Sequence, residues 1–149
     1  MIIISHRGNL DGTSEKENSP EHIQHALSLG YDVEVDVWFK DNTWFFGHDD
    51  PTYEVEHSFF SSILNPKATK LWIHAKNIEA AEQLSSTGMN WFWHEKDKIT
   101  LTSKGNIWCY PNTYVKDGIS VMIEKRFDIP DYVGGICTDH PEAWRNNLK

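Results

Sequence analysis

The chain has 149 residues, 39% of them hydrophobic and 24% charged, with 14 Lys plus Arg against 22 Asp plus Glu and a net charge of -8. That length and composition fit one folded domain over 1–149 with a real core, and they exclude a disordered chain. The acidic surplus argues against nucleic acid or an anionic membrane surface as partner, since both call for a basic patch.

In chain order, Ile2 to Ile4 form a short apolar run that predicts a buried strand feeding the loop SHRGN. The polar stretch LDGTSEKEN, with Gly12, continues that loop. Ser19 and Pro20 read as a helix cap and a first helical residue, and Gly30 as the stop; Ile23, Ala26 and Leu27 share the face between them. Residues 32 to 38, DVEVDVW, alternate strictly, so in a strand Val33, Val35 and Val37 take one face and Asp32, Glu34 and Asp36 the other. Neighbouring acids on that face stand about 7 Å apart and repel. Either water bathes them, the commoner use of such a pattern, or something positive sits against them.

Asp41 and Asn42 suit a turn and Trp44 to Phe46 a short strand. LWIHA at 71–75 predicts another strand, and Asn77 caps a helix running to Thr87 before Gly88. WFWH (91–94), NIWCY (106–110), ISVMI (119–123) and GGICT (134–138) are further strands, and Pro141 to Leu148 a short terminal helix. Strands alternating with helices predict an α/β fold with a parallel sheet. A full TIM barrel takes about 250 residues, and several connections here are shorter than the dozen or so residues of a parallel crossover. The expectation is a reduced TIM-type (β/α) barrel with short or missing outer helices.

Cys109 and Cys137, the two cysteines, form neither a CxxC nor a Cys/His cluster. They read as free thiols of a cytoplasmic protein. MIIIS is too short for a signal-peptide core, and no apolar run approaches the ~18 residues of a membrane span. The residues set no oligomeric state.

Candidate chemistry gathers at the strand ends: His6 and Arg7, Glu34 and Asp36, His48 and Asp49, His74 and Lys76. In parallel α/β folds those ends share one face, which carries the active site. The set fits phosphodiester cleavage. Glu34 and Asp36 suit a hard divalent cation, Arg7 and Lys76 a phosphate, and His6 with His48 an acid–base pair. Each residue also has a plainer use: a loop histidine at 6, a turn residue at 48, a core histidine at 74, a surface lysine at 76. His22, His25, His57 and His140 are expected at the surface.

The order HRG (6–8), EN (17–18), EVD (34–36) and HD (48–49), then Lys76 after the next strand, resembles the glycerophosphodiester phosphodiesterases. These belong to the PI-PLC-like phosphodiesterases, which are TIM-type barrels. GICTD (135–139) with Pro141 is similar to that family's last strand, and NIWCYPN to its late Trp-containing strand. The resemblance implies a small-molecule phosphodiester substrate and a divalent metal (Mg²⁺, Ca²⁺ or Mn²⁺) on Glu34 and Asp36. It also implies His6 as general base, His48 as general acid, Glu17 as a supporting polar residue, and Arg7 and Lys76 as phosphate contacts. Hydrolysis and cyclisation by a neighbouring hydroxyl are both compatible with it. The family's third metal-binding Glu is replaced here by His74 within HAK. A neutral nitrogen there disfavours Ca²⁺ and favours Mn²⁺ or Zn²⁺; alternatively His74 contacts phosphate, and Mg²⁺ keeps two protein ligands and water. The alternative to an enzyme is a catalytically inactive phosphate-ester-binding module of the same fold.

Overall fold

A computed structural model describes residues 1–63 and 70–149. Among them are ten strands: β1 (Ile2–His6), β2 (Asp32–Lys40), β3 (Thr43–Phe46), β4 (Tyr53–Val55), β5 (Leu71–Ala75), β6 (Trp91–Phe92), β7 (Ile99–Leu101), β8 (Ile107–Cys109), β9 (Ile119–Met122) and β10 (Gly135–Thr138). The helices are α1 (Pro20–Ser28), α2 (His57–Ile63), α3 (Ile78–Ser85) and α4 (Pro141–Asn147). Local chemistry sets their ends. The Ser19 hydroxyl accepts from the His22 N–H to start α1, and Gly30, at φ 87°, follows its end. Asn77 caps α3 by accepting from Ala80 N–H. Asp41 and Asn42, both at positive φ, form the tight turn joining β2 to β3.

One curved, mixed sheet holds all ten strands. Seven run parallel in the order β6-β5-β2-β1-β10-β9-β8. The β3–β4 hairpin adds antiparallel to the far end of β2, and β7 adds antiparallel to β8. No ladder joins β6 to β7. Across that seam Ser103 N–H donates to Trp91 O at 2.7 Å, and the Thr100 hydroxyl to Trp93 O at 2.9 Å.

This architecture overturns the expected reduced TIM-type barrel. The molecule is mostly strand, a half-barrel with four short helices among the described residues, and from β6 to β10 no helix alternates with the strands. Residues 110–118 and 123–134 connect parallel strands with no helix at all. The reason is local. Pro111 and Pro130 interrupt these stretches, Asn112 and Asp117 sit at positive φ, and no 3.6-residue apolar period is present. Three elements were not anticipated: β4, α2 and β7.

Apolar side chains pack on both sides of the sheet. On the outer side Val33, Val35 and Val37 meet Ile23 and Ala26 of α1, Ala80 and Leu84 of α3, and Phe60 of α2. On the inner side Ile4, Trp72, Phe92, Trp108, Ile119, Val121 and Cys137 form a second cluster that fills the bottom of the concave face. Among the described residues no helix is long and apolar enough to cross a membrane.

Candidate functional site

Strand alternation decides which residues reach the concave face. Counting by twos from the inner cluster, Ile4 leads to His6, Trp72 to His74, Phe92 to His94, Trp108 to Tyr110, Val121 to Ile123 and Cys137 to Asp139. On β2 that face carries Asp32, Glu34 and Asp36. Trp72 Nε1–H donates to Asp32 at 2.9 Å in the lower layer, and the upper layer opens into a cleft of about 230 Å³. His6, Arg7, Glu34, Asp36, His48 and His74 all line it.

The acids are not bathed in water. Glu34 is 3% and Asp36 1% exposed, so the wet-face reading of DVEVDVW fails and positive partners become necessary. Four groups converge on Asp36. Asn18 clasps it twice: its side-chain N–H donates to Asp36 Oδ2 at 2.9 Å, and its carbonyl accepts from Asp36 N–H at 3.0 Å. Arg7 Nε stands 3.2 Å from Oδ2, and His74 Nδ1 and Lys76 Nζ stand 3.1 and 3.9 Å from Oδ1. Even so, Oδ1 accepts no hydrogen bond of proper geometry. A buried carboxylate oxygen left in this way is poised for another cation.

His74 adds to the argument. Its Nε2 lies 2.9 Å from the carbonyl oxygen of His94, an acceptor, so Nε2 carries a hydrogen and Nδ1 turns toward the acids. Donor atoms of Glu34, Asp36 and His74 all lie within 4.8 Å of one another, and two oxygens with one imidazole nitrogen suit a divalent ion. Burial and the adjacent Asp36 push the Glu34 carboxyl up, against His6, Arg7 and His74. For Asp36, burial also pushes upward but is outweighed by His74, Arg7 and Lys76, which hold it well below the usual range. The two carboxyls are driven apart, as expected of a crowded pair.

His6 is held by a residue that sequence reasoning missed. Its Nδ1 lies 2.7 Å from Asp139 Oδ1, so that nitrogen carries the hydrogen and Nε2 faces the cleft, 3.9 Å from Glu34. Asn9, fully buried, donates to both Asp139 and Glu17 at 2.8 Å, and Glu17 pairs with Arg7 at 3.1 Å. Glu17 thus supports the site through Arg7 and Asn9. Asp139 was legible in principle: it follows β10 immediately, at the same kind of strand end that pointed to the others. His22 and His140 are half-buried rather than free at the surface, and His22 leans on Asn9 at 3.4 Å.

No family model matches this chain, and no curated protein does.

Two expected residues stand apart. His48 lies on the cleft rim, its side chain 42% exposed and paired at 2.7 Å with Asp49. Lys76 points at Asp36 and does not line the open cleft. The histidines also differ electrically. Burial lowers the His6 affinity for a proton, but Asp139 and Glu34 more than reverse this and raise it above the usual value. Partial burial, with Arg7 and Lys76, lowers His48. Bare of any cation, the site thus favours a proton on His6 over His48, the reverse of a base–acid order. A positive charge against Glu34 cancels part of the field that raises His6.

Proposed function

We propose that the protein is a metal-dependent phosphodiesterase, cleaving a glycerophosphodiester-like or sugar-linked phosphodiester by His/His acid–base catalysis. The observation that carries this reading is the convergence of Glu34, Asp36 and His74 donor atoms within 4.8 Å of one another, with the buried Asp36 Oδ1 accepting no well-formed hydrogen bond, beside a His6 imidazole aimed by Asp139. The resemblance of the HRG–EN–EVD–HD order to the glycerophosphodiester phosphodiesterases supports it further. Glu34, Asp36 and His74 would hold the ion, which supplies Lewis-acid polarisation of the phosphoryl oxygens when bound.

The chain's own residues do the rest. Arg7, fixed by Glu17 and Asp36, offers positive charge to the phosphate from the rim. His6 Nε2 takes the proton from the attacking water, or from a hydroxyl of the substrate beside the phosphate, while Asp139 stabilises the imidazolium. The new P–O bond forms as the bond to the leaving alcohol breaks, and His48 gives that alcohol its proton. With water as attacker the products are a phosphomonoester and an alcohol. Two buried free thiols fit a reducing, cytoplasmic setting, and the acidic surplus fits a small-molecule rather than a nucleic-acid partner.

The test is calorimetric titration of metal-stripped protein with Mn²⁺, Mg²⁺ and Ca²⁺, followed by a phosphodiester screen with the metal that binds. Saturable binding in the order Mn²⁺, Mg²⁺, Ca²⁺, abolished in Glu34→Gln, is expected, with His6→Ala then losing about 10²- to 10⁴-fold in turnover at unchanged fold. A wild type that binds none of the three ions removes the reading.

A second reading has its own support. Arg7, His74 and Lys76 already surround Asp36, so the acids have positive partners without a metal. An inactive phosphate-ester-binding module would bind glycerol phosphate in the absence of metal and lose it on Arg7→Ala, with no turnover under any ion.

A further inference from the structure

The cleft is divided in two. Strands β1, β2 and β5 bring His6, Glu34, Asp36 and His74 to it, with Arg7 and His48 on the adjoining loops. Strands β8 and β9 bring Trp108, Tyr110, Val121 and Ile123 by the same alternation, with Pro111 beside them, and none of these ionises near neutral pH. Trp108 and Val121 are buried in the wall, but Tyr110 and Ile123 at its lip are 44% and 46% exposed. An apolar lip facing a charged half-site holds surface in water that a ligand can cover. His94 and Glu95 also line the cleft, the His94 ring meeting Tyr110 edge-on with centroids 5.8 Å apart, and Glu95 repels a further anionic substituent.

We infer that this wall is a subsite for an alkyl or acyl chain carried by the phosphodiester, so that the ligand is amphiphilic rather than uniformly polar. The inference rests on the phosphodiesterase reading for where the phosphate sits. With the phosphate anchored at Arg7 and the acids, its substituents project from the charged half and meet the β8–β9 side. A cleft of about 230 Å³ is smaller than the roughly 300–1,000 Å³ of sites that enclose a drug-sized ligand. It takes a phosphate and a short polyol; a chain must run out over Tyr110 and Ile123.

The experiment compares glycerophosphocholine with hexanoyl-lysophosphatidylcholine, below its micelle concentration, on metal-loaded protein. The two differ by the acyl chain alone. The acylated compound should have a kcat/KM about tenfold higher or more, because one or two methylenes against an apolar wall are worth that much. The ratio should shrink toward one in Ile123→Ser and in Tyr110→Ser, with thermal melting checking that each variant folds. Equal kcat/KM for both compounds in the wild type overturns the inference, as does a ratio that neither variant changes. If neither compound turns over, the phosphodiesterase reading fails and calorimetric binding of the same pair decides the subsite. Tighter binding of the acylated compound, lost in the variants, upholds it; equal or absent binding overturns it.

Discussion

Asp36 collects more partners than any other side chain at the cleft, and the residue that aims it is Asn18. That asparagine is 1% exposed, sits at φ 62°, and spends its whole amide on Asp36. Replacing it removes two hydrogen bonds and leaves a buried N–H and a buried carboxylate oxygen short of a partner, a loss of about 3 kcal/mol. Two variants separate the causes. Asn18→Gly accepts the left-handed backbone and loses only the bonds, whereas Asn18→Ala adds about 1 kcal/mol of backbone strain. Denaturant unfolding should rank wild type above Gly above Ala; a glycine variant as stable as the wild type means the clasp contributes nothing. The acids of DVEVDVW were legible because period-two alternation needs no tertiary information. The roles of Asn18 and Asp139 were not, because they depend on a left-handed turn and on contacts 18 and 130 positions apart in sequence, from Asn18 to Asp36 and from Asn9 to Asp139.

Among the elements, the turn after β3 carries His48. Gly47 N–H donates to Asp36 O at 3.1 Å, and Gly47 O accepts from Trp38 Nε1 at 2.7 Å, which ties the loop to β2. A Cβ at Gly47 would lie 2.0 Å from Asp50 O, closer than any real contact, so a side chain there must displace the loop. If His48 serves as acid, Gly47→Ala should lower kcat/KM by about a hundredfold, as a misplacement of about 1 Å does. The melting temperature serves as control: a fall in activity no larger than that of a variant equally destabilised elsewhere would count against a role for His48. The strong elements, α1, α3, β2 and β5, declared themselves through caps and alternation. β4 and β7, three residues each, and α2 carry too little local pattern, and pairing with neighbours makes them what they are. That several connections are too short for a crossover helix was legible; that the sheet stays a half-barrel was not, because pairing between strands distant in sequence decides it.

At the scale of the molecule, the sheet separates two apolar layers, and the cysteines sit within them. Cys109 and Cys137 are both fully buried. Burial pushes both thiols up, and Glu34 and Asp139 add to the effect at Cys137. The native protein should therefore resist a thiol reagent at pH 8 and titrate two thiols only in denaturant. A rapid reaction of Cys137 in native buffer would show that the concave face opens locally. That face is where a charged upper layer rests on an aromatic floor, with Phe92 stacked on Trp108 and on His74 at centroid distances of 4.4 and 4.9 Å. Low polarity beneath the acids strengthens every charge interaction above it.

The two-faced character of β2 also bears on how the chain reaches this state. A slip of one residue against β1 or β5 would press Asp32, Glu34 and Asp36 into the helices and turn three valines toward the cleft. Among the described residues, the contacts of the valines on the outer side include Ile23, Ala26, Ala80 and Leu84, none of which can partner a carboxylate. The same acids that prepare the cleft thus act during folding as a proofreading device, making each misregistered pairing of the central strand too costly to persist.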